Sequence, residues 1–400
     1  MLFKHILIFK NAVVLLEIRS AKLYNVIMGD LSLQYLTETR RKLHALAELS
    51  GEEHNTCAFI ADELKRFGYK PKFIGTGVYC DVGRGSQRLA FRADIDALPM
   101  TEDVAATGMT DCAATGNVMH ACGHDGHTAN LLNVARMIGG TSDVPLRFIF
   151  QFGEEGIGGS QVMIDGGVTD GVSEIYALHL CPELDEGKIG YCYGGMFAGC
   201  CEFDVEVDGK ASHCAMPQLG ADAVRASIAI SDVAFRAAEE RGLLLNLGKL
   251  SGGAARNIVA DKVKSEYSLR FYDMAKCEAT MLDIERAALA ADDKFGTSHR
   301  IISQAVYRPL INSAFAVDRV RSVMGAACVE VEPRNTAEDF SNYLSEATGC
   351  MVWLGTRSEG HCSPLHSESF SFDERALLTG TELFLKLIES YSKKNRRANG

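Results

Sequence analysis

Leu146-Arg147-Phe148-Ile149-Phe150-Gln151-Phe152-Gly153-Glu154-Glu155 is a largely apolar run that stops abruptly at two acids. An unbroken apolar core such as Phe148-Ile149-Phe150 suits a strand covered on both faces, the kind found in parallel sheets. Three more stretches have the same shape. Residues 88–91 run into Asp94 and Asp96, residues 174–180 carry His179 near their end, and residues 351–354 form the fourth. Helical spacing at 128–138 and 160–165 separates the first three. Buried strands alternating with helices predict an α/β sheet with parallel strands. Ligands of such sheets gather beyond the carboxyl ends of the strands, where these acids and histidines fall. Further upstream, residues 33–67 have helical spacing with many charges, ending near Gly68.

The texture changes near Gly194. Cys201-Glu202-Phe203-Asp204-Val205-Glu206-Val207 alternates apolar and polar, as a half-exposed strand does. A helix-like stretch at 221–241 follows, then strands at 243–247 and 262–271. This order predicts an α+β unit with an antiparallel sheet. Pro309 marks its end, after which the α/β texture returns. The expected organisation is an N-terminal extension over 1–30, a catalytic domain over 31–193 and 308–400, and an inserted domain over 194–307.

Composition narrows the function. A net charge of −11 repels phosphate backbones and anionic lipids, which excludes nucleic acid and membrane as partners. Thirteen cysteines, an odd number in a 400-residue chain, do not make a disulfide scaffold, and several sit in apolar runs. They suit a reducing, cytoplasmic compartment. The apolar residues of 1–27 are interrupted by Lys4, Lys10, Glu17 and Arg19, so no stretch reaches the ~18 residues of a membrane span. A second reading starts the protein at Met28.

The chemistry concentrates in Met119-His120-Ala121-Cys122-Gly123-His124-Asp125-Gly126-His127. A thiolate and an imidazole two residues apart in a glycine-rich turn suit a divalent ion such as Zn, Mn, Co or Ni. A helix-start loop capped by Asp125 would explain the same turn. Of the paired acids, one suits an ion and the other a general base. His179 alone reads equally as a core histidine, and His366 alone says nothing. Asp94 and Asp96 are placed to orient a ligand histidine through its second nitrogen.

Taken together these residues resemble the M20 metallopeptidase family in its amidohydrolase branch. The resemblance rests on ordered blocks: Arg40-Arg41-Lys42-Leu43-His44 with Glu48-Leu49-Ser50; Phe91 to Pro99; Met119 to His127; Phe150-Gln151 with Glu154-Glu155-Gly156; Ala177-Leu178-His179; Ser212-His213 with Met216-Pro217; Arg256-Asn257-Ile258-Val259; Glu338-Asp339-Phe340; and Leu365-His366-Ser367 with Phe370. It implies a zinc-peptidase-like catalytic domain with an inserted lid and dimerisation domain, hence a homodimer or higher homo-oligomer. It implies two divalent metal ions per subunit held by Cys122, His124, Glu155, His179 and His366, with Glu154 as general base. It further implies that His213 reaches the partner's active site, and that Asn257 and Arg270 bind the substrate carboxylate. The implied reaction is hydrolysis of an N-acyl amino acid. Carboxypeptidases or dipeptidases of the same fold are the alternative, and a non-catalytic binding relative is a more distant one. The chain departs from the family pattern at Phe152-Gly153, Cys214 and Gln218, which touch the pocket rather than the chemistry.

Overall fold

The computed structural model describes residues 3–9, 12–18, 21–114 and 116–398, with side chains described over 32–114 and 116–393. Lys10 and Arg19 of the N-terminal reading lie outside the described residues. The chain divides into two compact units. One comprises residues 1–191, 315–330 and 346–400; the other comprises 192–314 and 331–345.

The first unit is built on an eight-stranded mixed sheet. Its order is Cys328–Glu330, Ile189–Tyr191, Thr348–Arg357, Val172–Asp185, Arg88–Asp94, Leu146–Gln151, Gly77–Val82 and Lys72–Ile74. The four middle strands are those whose apolar runs the sequence marks, and they are mutually parallel. Leu146–Gln151 is buried at every position, as its unbroken pattern requires. The flanking Gly77–Val82 pairs antiparallel with it, and at the other side Ile189–Tyr191 pairs antiparallel with Thr348–Arg357 but parallel with Cys328–Glu330, so the sheet is mixed around a parallel centre. Helix His124–Ile138 is buried along most of its length between this sheet and helix Ala376–Ala398. The core between them is aromatic. The Phe91 ring lies 4.6 Å from that of Phe384, and Phe148 and Tyr176 flank it.

One element differs from expectation. The helical stretch over 33–67 is two helices, Ala21–Ala45 and His54–Arg66. Gly51 turns the chain with φ +84°. The Glu48 carboxylate then accepts hydrogen bonds from the amides of Asn55 and Thr56, satisfying amides that would otherwise be orphaned in the first turn of the second helix. Charge-rich helical spacing on both sides of the turn concealed it.

The second unit carries a four-stranded antiparallel sheet, ordered Leu244–Gly252, Lys262–Phe271, Gly199–Asp208, Ser298–Tyr307. Helices Ala223–Glu240 and Met274–Phe295 pack against it. Each starts at an aspartate, Asp222 or Asp273, whose carboxylate caps two backbone amides. The core places Phe203 in stacked contact with Tyr267, ring centres 4.9 Å apart. This is an α+β unit inserted into an α/β one. Among the described residues no helix is long and apolar enough to cross a membrane.

Candidate metal centre

Six predicted residues converge at the carboxyl edge of the parallel strands. His179 stands within Val172–Asp185, and Glu154 and Glu155 follow Leu146–Gln151. Cys122 and His124 form the turn that opens helix His124–Ile138. Cys122 Sγ lies 3.4 Å from His179 Nε2 and 3.2 Å from His366 Nε2. His366 Nε2 is also 3.2 Å from Glu155 Oε1, which is 3.9 Å from His124 Nε2. Donor atoms of Cys122, His124 and His179 lie within 4.8 Å of one another, as do those of Cys122, Glu155 and His366. Glu154 has a carboxylate oxygen within the same distance of His124 and Glu155.

The turn has this shape because of its glycines. Gly123 has φ +83°, and a Cβ there would come 2.8 Å from the Leu180 side chain. A Cβ on Gly126 would come 2.7 Å from Phe372. His366 has φ +58°, the only non-glycine among the described residues with positive φ. Its amide donates to the carbonyl of Ala121 at 2.9 Å, which ties the His366 loop to the Cys122 turn.

Supporting groups fix the ring orientations. His124 Nδ1 bonds the Asp96 carbonyl at 2.9 Å and lies 3.1 Å from Asp96 Oδ1, which directs Nε2 at the cluster. His179 Nδ1 bonds the Leu180 carbonyl at 2.9 Å, which leaves its Nε2 facing Cys122. Asp94 lies against a different histidine, His127, at 2.6 Å, and pairs with Arg92 at 2.6 Å. His127 in turn accepts the Leu180 amide through Nε2. Asp125 is not the helix cap, since the helix begins at His124 behind Gly123. Its Oδ2 binds Arg40 at 2.9 Å and His44 at 2.8 Å, while its Oδ1 accepts the Gly126 amide at 2.8 Å.

Two features test whether this donor set fits a cation. His124 Nε2 is buried and makes no hydrogen bond, and the buried Glu155 Oε1 faces His366 Nε2 at 3.2 Å without forming one. Such orphaned atoms are costly unless a cation satisfies them. Electrostatics agrees. Burial works against a charged His124, yet Asp94, Asp96 and Glu155 outweigh it and lift its pKa to about 10. The surrounding carboxylates thus favour positive charge at this position. Burial and the neighbouring His127 hold His179 well below its usual value, so it is a neutral imidazole with a lone pair to give. Burial, then Glu155 and Glu154, push the Cys122 thiol far up.

The remaining predicted residues lie in the second unit. His213 and Asn257 come together: strand Ser212–His213 pairs with Ile258–Val259, and the Cys214 amide donates to the Asn257 carbonyl at 3.0 Å. His213 is exposed. Arg270 sits on Lys262–Phe271, opposite Cys200 and Leu244. Sequence reasoning gave no role to Arg92, Trp353 or Glu53. Trp353 lies in register beside His179, its ring 5.2 Å away.

Comparison with known proteins follows the same lines. The sequence pattern of peptidase family M20/M25/M40 matches residues 90–390. The N-acetyl-L-cysteine deacetylase of Bacillus subtilis (strain 168) is 31% identical over 358 residues, covering 85% of this chain and 84% of that protein. Thermostable carboxypeptidase 1 of Saccharolobus solfataricus is 30% identical over 381 residues, covering 90% and 96%. The crystal structure of a dinuclear metal-binding M20 peptidase from Bacillus subtilis superposes with a TM-score of 0.77 at 26% identity, covering 90% of this chain and 98% of that one. The chain belongs to peptidase family M20/M25/M40 and is a metal-dependent hydrolase of amide bonds.

Proposed function

We propose that the protein hydrolyses N-acyl amino acids, releasing a carboxylate and a free amino acid. The observation that carries this reading is the meeting of Cys122, His179, His366 and Glu155 around the orphaned Nε2 of His124. Cys122, His124, Glu155, His179 and His366 would hold two divalent ions, Zn, Mn, Co or Ni. When bound, such ions supply Lewis acidity to the scissile carbonyl and acidify water. Glu154, beside the cluster, takes the proton of the attacking water and returns it to the leaving amine, so the proton count balances. Asp96 holds His124 in the required tautomer, and Asp94 does the same for His127.

In the second unit, Asn257 and Arg270 are assigned to the substrate carboxylate, for which a guanidinium offers paired donors. His213, assigned to the developing oxyanion, acts across a dimer. The dimer reading is supported by strand Leu244–Gly252, an unpaired sheet edge. Around it lies an apolar surface with Ile228 59% and Leu250 56% exposed. A cytoplasmic location is inferred from the thirteen cysteines, all of them free thiols.

A carboxypeptidase is the second reading, since one relative carries that name. A panel of N-acyl amino acids and dipeptides, assayed for amine release with Zn, Mn, Co and Ni, separates the two. Preference for N-acyl amino acids supports the proposal, and preference for dipeptides overturns it.

A further inference from the structure

The segment that carries Glu154 and Glu155 is gripped from both sides by buried carboxylates of other elements. Glu53, at the start of helix His54–Arg66, is 0% exposed. Its Oε1 accepts the Gly153 amide at 2.8 Å, and its Oε2 accepts the Thr76 hydroxyl at 2.5 Å. On the other side, Asp96 Oδ2 accepts the Glu155 amide at 2.8 Å and the Ser50 hydroxyl at 2.6 Å. Glu154 stands between these two anchored amides.

The segment itself cannot settle elsewhere. Gly153 has φ +68°, and a Cβ there would meet Ile157 at 2.5 Å. The Gly159 amide closes the loop onto the Gly153 carbonyl at 3.0 Å. Phe152 is wedged against Gly75 and Gly77, where a Cβ would come within 2.8 Å and 3.0 Å of its ring. Asp96 is already committed to His124, so the Glu155 side of the clamp is coupled to the metal cluster. Glu53 thus grips the backbone just before the proposed base.

We propose that Glu53 is a positioning residue for Glu154: its carboxylate fixes the Gly153 amide and so sets where the base stands. This rests on the assignment of Glu154 as base. The role needs an acceptor at the right reach rather than a charge. Glutamine keeps that reach, because its carbonyl oxygen can accept the Gly153 amide while its amide donates to the Thr76 oxygen. Aspartate keeps the charge but falls one methylene short.

The test compares Glu53→Asp, Glu53→Ala and Glu53→Gln in the metal-loaded enzyme with an N-acetyl amino acid, measuring kcat, KM and bound metal. Glu53→Asp and Glu53→Ala should lose roughly 10- to 100-fold in kcat, the scale of a base misplaced by about an ångström. KM should stay within about twofold and metal content should be unchanged, because the loss lies in the chemical step. Glu53→Gln should restore kcat to within about threefold of the parent. If Glu53→Ala does not fold, the contrast between Asp and Gln carries the test. Wild-type kcat in Glu53→Asp, or Glu53→Gln as slow as Glu53→Asp, overturns the proposal. A Glu154→Ala control separates the two claims. If it still turns over, the base assignment falls; if it is dead while Glu53→Asp is fully active, only the positioning role falls.

Discussion

At the scale of single residues, the site separates a ligand thiol from a nucleophilic one. A catalytic cysteine needs a neighbourhood that lowers its pKa. Cys122 has the reverse: burial and two glutamates raise it, so without a cation it stays a thiol. On the proposed reading Glu154 is the group that transfers the proton. Glu154→Ala should keep its metal and lose about 10²- to 10⁴-fold in turnover, the usual range for a lost general base. Elemental analysis beside steady-state kinetics checks both halves. A second residue gives an optical handle. Trp353 is the sole tryptophan, and its ring meets that of His179 edge-on, 5.2 Å away. Adding Co or Ni to metal-stripped enzyme should quench tryptophan emission, saturably, and His179→Ala should abolish the response. An emission spectrum indifferent to metal would count against His179 as a ligand.

At the scale of elements, legibility followed burial. The apolar runs leading to Asp94, Glu154 and His179 were readable because strands covered on both faces leave no polar alternation, although the strand carrying His179 runs on to Asp185. The glycines of the Cys122 turn were also visible, although what they avoid, Leu180 and Phe372, comes from distant parts of the chain. Glu53 was not readable. In Ser50-Gly51-Glu52-Glu53-His54 it resembles a solvated acid, and its burial depends on a partner 100 residues away. The helix break at 46–53 was hidden for another reason: charge-rich helical spacing continues on both sides of it, although the Glu48 cap is local. The edge strand Leu244–Gly252 carries a prediction at this scale. Ile228→Glu with Leu250→Glu puts charges on the proposed interface and should convert a dimer to monomers in light scattering. An unchanged mass would remove this face from the assembly.

At the scale of the whole molecule, an α+β unit interrupts an α/β one, and the proposed chemistry draws on both. The metal cluster and Glu154 belong to the first unit, and His213 with Asn257 to the second. If His213 acts across a dimer, mixing inactive His213→Ala with inactive Glu154→Ala should restore about a quarter of wild-type activity, since half the dimers are hybrids with one intact site of two. No recovery would place His213 outside the partner's site. Family membership was legible from nine ordered blocks, because ligands at strand ends keep their order along the chain whatever the loops between them do. The acyl group was not, because Phe152-Gly153, Cys214 and Gln218 depart from the pattern where the substrate would lie. The most direct test of the central claim is a titration of metal-stripped enzyme with Zn, Mn or Co while amine release from an N-acyl amino acid is followed. No activity without metal and a plateau at two equivalents per chain are expected. Full activity in the stripped enzyme, or no activity at any metal loading across a broad panel of N-acyl amino acids, would contradict it.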